Sequence, residues 1–244
     1  DDGSSDMTAQ IVNKHSTELK NLELIQLQGN GVGSAIDAGH QSMLKSLSEP
    51  FVSVVMAGDG QMDPDDLELL IEPVTKNQAD YVKGNRFLHQ DGLGNMPLVR
   101  KIASMVLGFF TTLAAGRHVT DPQCGYTATS SLILQHWNWS KSWKGYGYPN
   151  YWLIELSRRS MRVAEVPVKS IYGKEKSGII MAKFFLSVGL MMLIMHHKRC
   201  FSMLFSKSVA PHTILSFIAY ILGWITIIPG VSTCLLYTSD AADD

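Results

Sequence analysis

The chain has 244 residues, with 21 Lys and Arg against 22 Asp and Glu, and its formal charge of -1 excludes the net basic surface of an ordinary nucleic-acid binder. Three cysteines, Cys124, Cys200 and Cys234, give neither a disulfide framework nor a metal knuckle, which fits a reducing cytoplasmic face. Hydrophobic residues make up 45% and charged residues 18%, and the apolar surplus sits at the C-terminal end, where no Lys, Arg, Asp or Glu occurs between Ser208 and Ser239.

In chain order, Asp6 caps a predicted helix running to about Leu19, followed by a short strand over Leu22–Leu27. Asn30-Gly31-Val32-Gly33 breaks the chain before a helix over Ser34–Leu47. Phe51–Met56 is an apolar, β-branched run that reads as a parallel strand buried on both sides. Asp65–Lys76 is helical, with Pro64 at its first position and acids favoured by its dipole. Ala79–Lys83 forms the next strand, Pro97–Ala114 a long helix, Ala128–Leu134 a strand, Pro149–Ser160 a helix, and Met161–Val168 a strand that Pro167 demotes to an edge.

Strand and helix alternating in units of about thirty residues implies right-handed crossovers and a mostly parallel sheet with helices on both faces. Residues 1–177 form this α/β domain, with its first strand–helix unit expected to be missing. In 178–207, the run Ile179–Met195 is broken only by Lys183 and followed by His196-His197-Lys198-Arg199, which suits a helix lying in the membrane interface. Within 208–233, Val209–Ile228 is long enough to cross a bilayer, and the basic residues before it place the preceding domain in the cytoplasm. The tail 234–244 resembles the conceptual translation of a sequencing-library adapter and is set aside.

The turn after Phe51–Met56 carries Asp59, Gln61 and Asp63. Oxygen donors just past the carboxyl end of a buried strand sit where open α/β sheets bind ligands, and they suit Mg²⁺ or Mn²⁺. Helix capping accounts for Asp63, Asp65 and Asp66, but not for Asp59 and Gln61. Arg100 and Ser104 share one helix face at i and i+4, where they can meet a single ligand.

Together these segments resemble a family 2 glycosyltransferase of the GT-A, Rossmann-like fold, and most of all the polyprenyl-phosphate (dolichyl-phosphate) sugar synthases. Asp1-Asp2-Gly3-Ser4-Ser5-Asp6 is similar to that family's nucleotide-binding DDGSxD turn, and Asn30-Gly31-Val32-Gly33-Ser34-Ala35 to its NxGxGxA turn. The turn at Asp59 resembles its DxDxQ metal site, with Ala57 at the position of the first Asp; the resemblance implies Asp59 and Gln61 as ligands of a Mg²⁺ or Mn²⁺ ion on the donor diphosphate. Gly84-Asn85-Arg86-Phe87 is similar to G(S/N)R(F/Y), and in the polyprenyl-phosphate branch such an Arg, with an Arg and a Ser at the spacing of Arg100 and Ser104, cradles the lipid phosphate. Asp121-Pro122-Gln123-Cys124-Gly125-Tyr126 resembles the family's D-x-x-S-G-(F/Y) turn, which places this Asp beside the sugar and acceptor and implies that Asp121 orients a sugar hydroxyl, the preferred role, or assists proton removal. Tyr172–Ser177 resembles a loop that closes over the diphosphate and nominates Lys176 and, less securely, Lys174.

The implied activity is an inverting, metal-assisted transfer of a sugar from a nucleotide-diphosphate sugar to a polyprenyl phosphate, dolichyl or undecaprenyl, at a lipid bilayer, with the catalytic domain on the cytoplasmic face and no nucleic acid involved. Asp1, Asp2, Asp59, Arg86, Arg100, Ser104 and Lys176 are the expected substrate-binding residues, and Asp121 and Arg86 the expected catalytic ones. Two other readings stay open: transfer to a polysaccharide or glycolipid, and a non-catalytic sugar-nucleotide-binding membrane subunit.

Overall fold

The computed structural model describes residues 1–90, 96–171, 181–205 and 211–228. It falls into two compact units, Asp1–His196 and His197–Asp244. The first unit begins with α1 (Thr8–Ser16), started by Asp6, whose carboxylate accepts the Thr8 N–H at 2.9 Å. It continues with α2 (Val32–Ser46), β1 (Val52–Val55) and α3 (Leu67–Thr75). The single turn before α3, Pro64–Asp66, is capped as the sequence requires, with the Asp63 carboxylate accepting the Asp65 N–H at 3.1 Å. Next come β2 (Tyr81–Asn85), α4 (Leu98–Ala115), β3 (Thr127–Ser130), the short α5 (Ser131–Gln135), α6 (Tyr148–Arg158) and β4 (Val163–Pro167). From the first unit α7 (Met181–Leu204) runs into the second, which also holds α8 (Pro211–Ile225).

The sheet is mixed, which corrects the expectation of a mostly parallel one. Its order is β1-β3-β2-β4; β3 runs antiparallel to both β1 and β2, and only β2 and β4 are parallel. After β2 the chain turns back through α4, packs Gly108 against the Thr120 carbonyl, and so re-enters the sheet at the end where β1 and β2 leave it. The carboxyl ends of β1 and β2 and the residues leading into β3 therefore share one edge of the sheet. Among the described residues β1 pairs with β3 alone and buries only Ser53, so it is not the two-sided buried strand expected; β2, buried at all five positions, is. Leu22–Leu27 forms no strand: beyond the local turn bond from Leu22 N to the Leu19 carbonyl, its backbone bonds among the described residues are from Asp1 N to the Ile25 carbonyl and from Leu27 N to the Asp1 carbonyl, each 2.9 Å. The predicted strand Ala128–Leu134 ends at Ser130, because Ser131 pairs back to the Phe51 carbonyl and the chain turns into α5. Pro167 closes an edge strand, as its missing N–H demands.

Successive β2 side chains point to opposite faces, and both faces are covered. Val82 joins Leu70 of α3, Ala128 and Val168 in one apolar cluster, whereas Tyr81 joins Leu107, Trp152, Leu153 and Met192 from α4, α6 and α7 in the other. Leu70 is fully buried, a position where truncation to Ala costs about 2–5 kcal/mol. In the second unit the His197 ring lies 4.8 Å from that of Trp224, and Phe201 packs 5.6 Å from Phe217.

Candidate active site

The first two motifs are one structure. Both oxygens of the Asp2 carboxylate accept backbone N–H groups of the second motif, from Asn30 at 2.8 Å and Gly31 at 2.7 Å. Asp1 braces the opening turn by accepting the Ser4 N–H at 3.1 Å. The glycines are fixed by a close approach. Gly31 has φ 97°, and a Cβ on Gly33 would lie 2.1 Å from the Trp143 carbonyl oxygen, because residues 143–145 lie directly over the turn and Lys144 accepts the Gly33 N–H at 2.8 Å. The same segment is pinned by Asp37, which accepts from Ser142 Oγ (3.0 Å) and Lys144 Nζ (2.7 Å). Burial pushes the Asp37 carboxyl up against the opposing pull of Lys144 and Ser142. A cavity of about 310 Å³ lies beside this turn, lined by Asp1, Val12, Leu24, Ile25, Ala35 and Gly39; none of Asp59, Gln61, Arg86 or Asp121 reaches it.

At the carboxyl end of β1, Asp59 is exposed and accepts the Gln61 N–H at 3.0 Å, which closes the turn. The Ala57 N–H points to Met62 Sδ at 3.2 Å. Met62 forms a bridge to Ser170, the Gln61 carbonyl accepts the Ile171 N–H at 3.0 Å, and the Tyr126 hydroxyl donates to the Asp63 carbonyl at 3.1 Å. The turn is thus fastened both to the Asp121–Tyr126 turn and to the end of the segment following β4. Among the described residues no group of three or more His, Cys, Asp or Glu is placed to hold a metal ion by itself. One carboxylate and one amide still fit a hard divalent cation whose remaining positions are filled by diphosphate oxygens and water, the way Mg²⁺ is commonly held.

At the carboxyl end of β2, Arg86 and Asp121 are brought together more closely than separate roles imply. Asp121 accepts three N–H groups from Arg86, Nε at 2.8 Å, Nη2 at 2.7 Å and the backbone N–H at 3.0 Å, and it has no exposed surface. Burial would push its carboxyl up, but the Arg86 hydrogen bonds and the charges of Lys83 and Arg86 outweigh burial and hold it below its ordinary value. The Arg86 side chain keeps 12% of its surface open. Beside this pair Cys124 is a buried thiol pushed up by desolvation.

Arg100 lies in the first turn of α4 and is half-buried, with Ser104 fully buried one turn later on the same face. The helix is turned with its small residues inward, Ser104, Gly108, Thr111, Ala114 and Ala115 beside Leu107. Large apolar side chains point out along its whole length, among them Val99 (74% exposed), Ile102, Phe109 (61%), Phe110 and Leu113. Among the described residues α4 is the one helix long and apolar enough to cross a membrane, but a third of it is buried against the domain. The described part of α8, 15 residues, spans about 22 Å at ~1.5 Å per residue. In α7, Val188, Met191, Met192 and Met195 enter the core, while Leu186, Leu190 and Ile194 stay exposed. Lys174 and Lys176 lie outside the described residues.

Residues 1–137, more than half of the chain, match the family model for glycosyl transferase family 2. The chain belongs to glycosyltransferase family 2. It is 30% identical over 185 residues, 70% of this chain and 73% of the relative, to a UDP-N-acetylglucosamine–dolichyl-phosphate N-acetylglucosaminyltransferase of Methanococcus voltae. It is also 31% identical to an uncharacterised protein of Methanocaldococcus jannaschii over 70% of this chain and 68% of that one. A dolichyl-phosphate β-glucosyltransferase of Trichomonas vaginalis is 28% identical over 69% of this chain and 50% of its own length. Among solved structures, glucosyl-3-phosphoglycerate synthase of Mycobacterium tuberculosis, in complex with Mn²⁺, UDP and phosphoglyceric acid, superimposes with a TM-score of 0.50 at 17% identity, covering 82% of this chain and 66% of that one. The glycosyltransferase thus has the GT-A fold.

Two features of this glycosyltransferase were not foreseen. Asp37 and Lys144 hold the segment over the Asn30–Gly33 turn, but they are 107 residues apart and carry no motif. Lys83 is a fully buried lysine on β2 whose ammonium donates to the Asp121 carbonyl, and a cation inside an otherwise buried strand, three residues before Arg86, was the signal available.

Proposed function

We infer that this glycosyltransferase moves a sugar from a nucleotide-diphosphate sugar to a polyprenyl phosphate at the cytoplasmic face of a membrane, with inversion. The observation that carries the reading is α4: a helix whose outward face is apolar along its whole length also bears Arg100 and Ser104, so a surface suited to lipid and the proposed phosphate-binding groups would belong to one element. The relative that transfers N-acetylglucosamine to dolichyl phosphate supports it. The exposed apolar side of α7, within 178–207, would lie in the same interface, and 208–233 would anchor the chain.

Asp2 and the turn it holds would receive the nucleotide, with Asp1 bracing the opening turn. Asp59 and Gln61 would hold Mg²⁺ or Mn²⁺, which when bound neutralises charge on the departing diphosphate. Arg86, Arg100 and Ser104 would aim the acceptor phosphate at the anomeric carbon. A phosphate oxygen attacks that carbon, the bond to the diphosphate breaks, and the electron pair leaves on the nucleoside diphosphate. A phosphate monoester, with a second pKa near ~6, is already ionised at neutral pH, so no protein base is needed. Asp121, closed off from solvent, then works through Arg86 rather than on the sugar. Lys176, outside the described residues, would be the donor-site cation that the resemblance nominates.

The reading is tested by incubating membranes carrying the chain with radiolabelled nucleotide sugars and following label into organic-extractable, mild-acid-labile lipid. Label lost on chelation of divalent cations and lost in Arg100→Ala supports it. Label appearing only in polysaccharide or glycolipid refutes it, and donor binding without any transfer points to a non-catalytic subunit.

A further inference from the structure

Helix α6 is buried at every position from Tyr148 to Leu156, and among those side chains stands an amide, Asn150, with no exposed surface. It is the middle of a chain of hydrogen bonds that all run one way. Gln123 Nε2 donates to Asn150 Oδ1, Asn150 Nδ2 donates to Thr111 Oγ1 at 2.7 Å, and the Thr111 hydroxyl donates to the Leu107 carbonyl at 2.6 Å. Head-to-tail bonds in a buried setting strengthen one another. The chain joins three elements: the turn before β3, α6 and α4. An apolar side chain at position 150 would join the surrounding cluster with no amide to satisfy, and replacing buried polar partners by apolar groups is often neutral or stabilising. Stability alone therefore does not account for the amide. What the chain supplies is a direction and a fixed spacing.

A second contact lies next to it on α4. Thr112 Oγ1 accepts the Val119 N–H at 3.0 Å and donates to the Val119 carbonyl at 3.1 Å. Adjacent threonines of α4 thus hold both sides of Asp121: Thr112 at Val119, two residues before it, and Thr111, through Asn150, at Gln123, two residues after it. Asp121 in turn accepts three N–H groups of Arg86. Thr111 lies two turns beyond Ser104 on the inward face of α4. That face is built largely of small residues, Ser104, Gly108, Ala114 and Ala115, which let the helix come close but give few knobs to stop it rotating or sliding. A slip of one residue displaces a helix by about 1.5 Å, and a misplacement of about 1 Å at a reacting group can cost ~100-fold in rate. We propose that Gln123, Asn150 and Thr111 are positioning residues for the acceptor phosphate: they lock the Asp121 turn, and with it Arg86, to the rotation and axial position of α4, so that Arg86, Arg100 and Ser104 meet one phosphate together. The proposal rests on the reading that these last three bind the acceptor phosphate.

The test compares the full chain in detergent as wild type, Asn150→Leu, Gln123→Met and Thr111→Ser. Asn150→Leu breaks the chain in its middle and strands little: the Thr111 hydroxyl keeps the Leu107 carbonyl, and Gln123, half-buried, can turn to water. The readouts are steady-state kinetics with a short-chain polyprenyl phosphate and calorimetric binding of inorganic phosphate in the presence of UDP. Asn150→Leu is expected to lower kcat/KM for the acceptor tenfold or more and to weaken phosphate binding by a similar factor, with the donor KM within twofold and an equal or higher Tm. Gln123→Met is expected to show the same acceptor defect, and it carries the test alone if the Leu variant does not fold. Thr111→Ser, which keeps the hydroxyl, is expected to stay within threefold of wild type. Unchanged acceptor kinetics and phosphate binding in Asn150→Leu overturn the proposal, as does an equal loss on donor and acceptor with a lower Tm, the mark of a merely structural lesion. So does a tenfold acceptor defect in Thr111→Ser. If wild type transfers no sugar to polyprenyl phosphate, the functional reading fails by itself, and phosphate binding still decides on the chain: tenfold weaker binding in Asn150→Leu upholds it, equal binding or no binding in wild type overturns it.

Discussion

Arg86 hands three N–H groups to one carboxylate, that of Asp121, across 35 residues of sequence and with no solvent on the acidic side. Removing one partner of such a buried pair strands the other, so Asp121→Asn is expected to lose about 3–5 kcal/mol in urea denaturation at pH 7. The folded-state carboxyl titrates below its ordinary value of 3.8, so its contribution is complete above that value and is lost as pH falls through the lower folded value. The gap between wild type and Asp121→Asn is therefore expected to persist at pH 5 and to shrink below about pH 4. A gap that is already closed at pH 5 contradicts the assignment.

Asp2 ties the chain's first turn to Asn30 and Gly31, so its loss removes the acceptor of one exposed and one part-buried N–H group. Asp2→Ala is expected to lose about 1–3 kcal/mol of stability and to weaken nucleotide binding together. Gly33→Ala, whose methyl would meet the Trp143 carbonyl at 2.1 Å, is expected to lower Tm and to reduce nucleotide affinity while leaving phosphate binding at Arg86 intact. Calorimetry with UDP and with inorganic phosphate separates the two.

Ala57 stands where a second carboxylate would flank Asp59. Ala57→Asp is expected to tighten Mn²⁺ binding in the presence of UDP about tenfold, or ~1.4 kcal/mol, and Asp59→Asn to weaken it by at least as much. Titration of Mn²⁺ by electron paramagnetic resonance reads both, and equal affinity in all three proteins would place the cation elsewhere.

His40 lies in the core with Nδ1 2.7 Å from Ser53 Oγ and its ring 5.6 Å from Trp152, and burial pushes the imidazole down to about 4. Because the folded value is below the unfolded ~6.5, the unfolded chain takes up its proton first; the stabilisation is complete above about pH 6.5 and is lost as pH falls toward 4, by up to about 3 kcal/mol. His40→Gln is expected to flatten that part of the curve, measured by urea denaturation between pH 7.5 and 4.5.

The outward face of α4 is expected to matter for lipid and not for folding. A variant with Val99, Phe109 and Phe110 replaced by Ser is expected to keep or gain Tm, since all three are more than half exposed, and to float several-fold less with anionic vesicles. A variant that unfolds, or that floats as well as wild type, refutes this.

Much of this was legible in the sequence because the signals are local. Asp63-Pro64-Asp65 caps a helix through bonds within three residues, Pro167 marks an edge strand by its own missing N–H, and the alternation of strands and helices gave the α/β class. The direction of β3 was not legible, since the run Thr127–Ser130 reads the same either way and its antiparallel partners β1 and β2 lie far from it in sequence. For the site, each motif marked a place but not its partners. Asp2 reads as a nucleotide ligand and turns out to hold the next motif; Asp121 and Arg86 read as separate actors and form one pair. Pairings across 28 and 35 residues leave no periodicity to find.

The reversed strand also sets a tolerance. β3 is held by four residue pairs on one side and three on the other, and Asp121 hangs six residues upstream of Thr127. A slip of one residue would move that turn by about 3.4 Å, outside the reach of the Arg86 guanidinium, while exchanging which threonines and alanine face α3. A mispaired molecule of this kind could stay compact and still hold nucleotide, yet it would have nothing to show an acceptor. Fidelity of strand pairing during folding, rather than stability afterwards, would then set the fraction of chains competent to transfer.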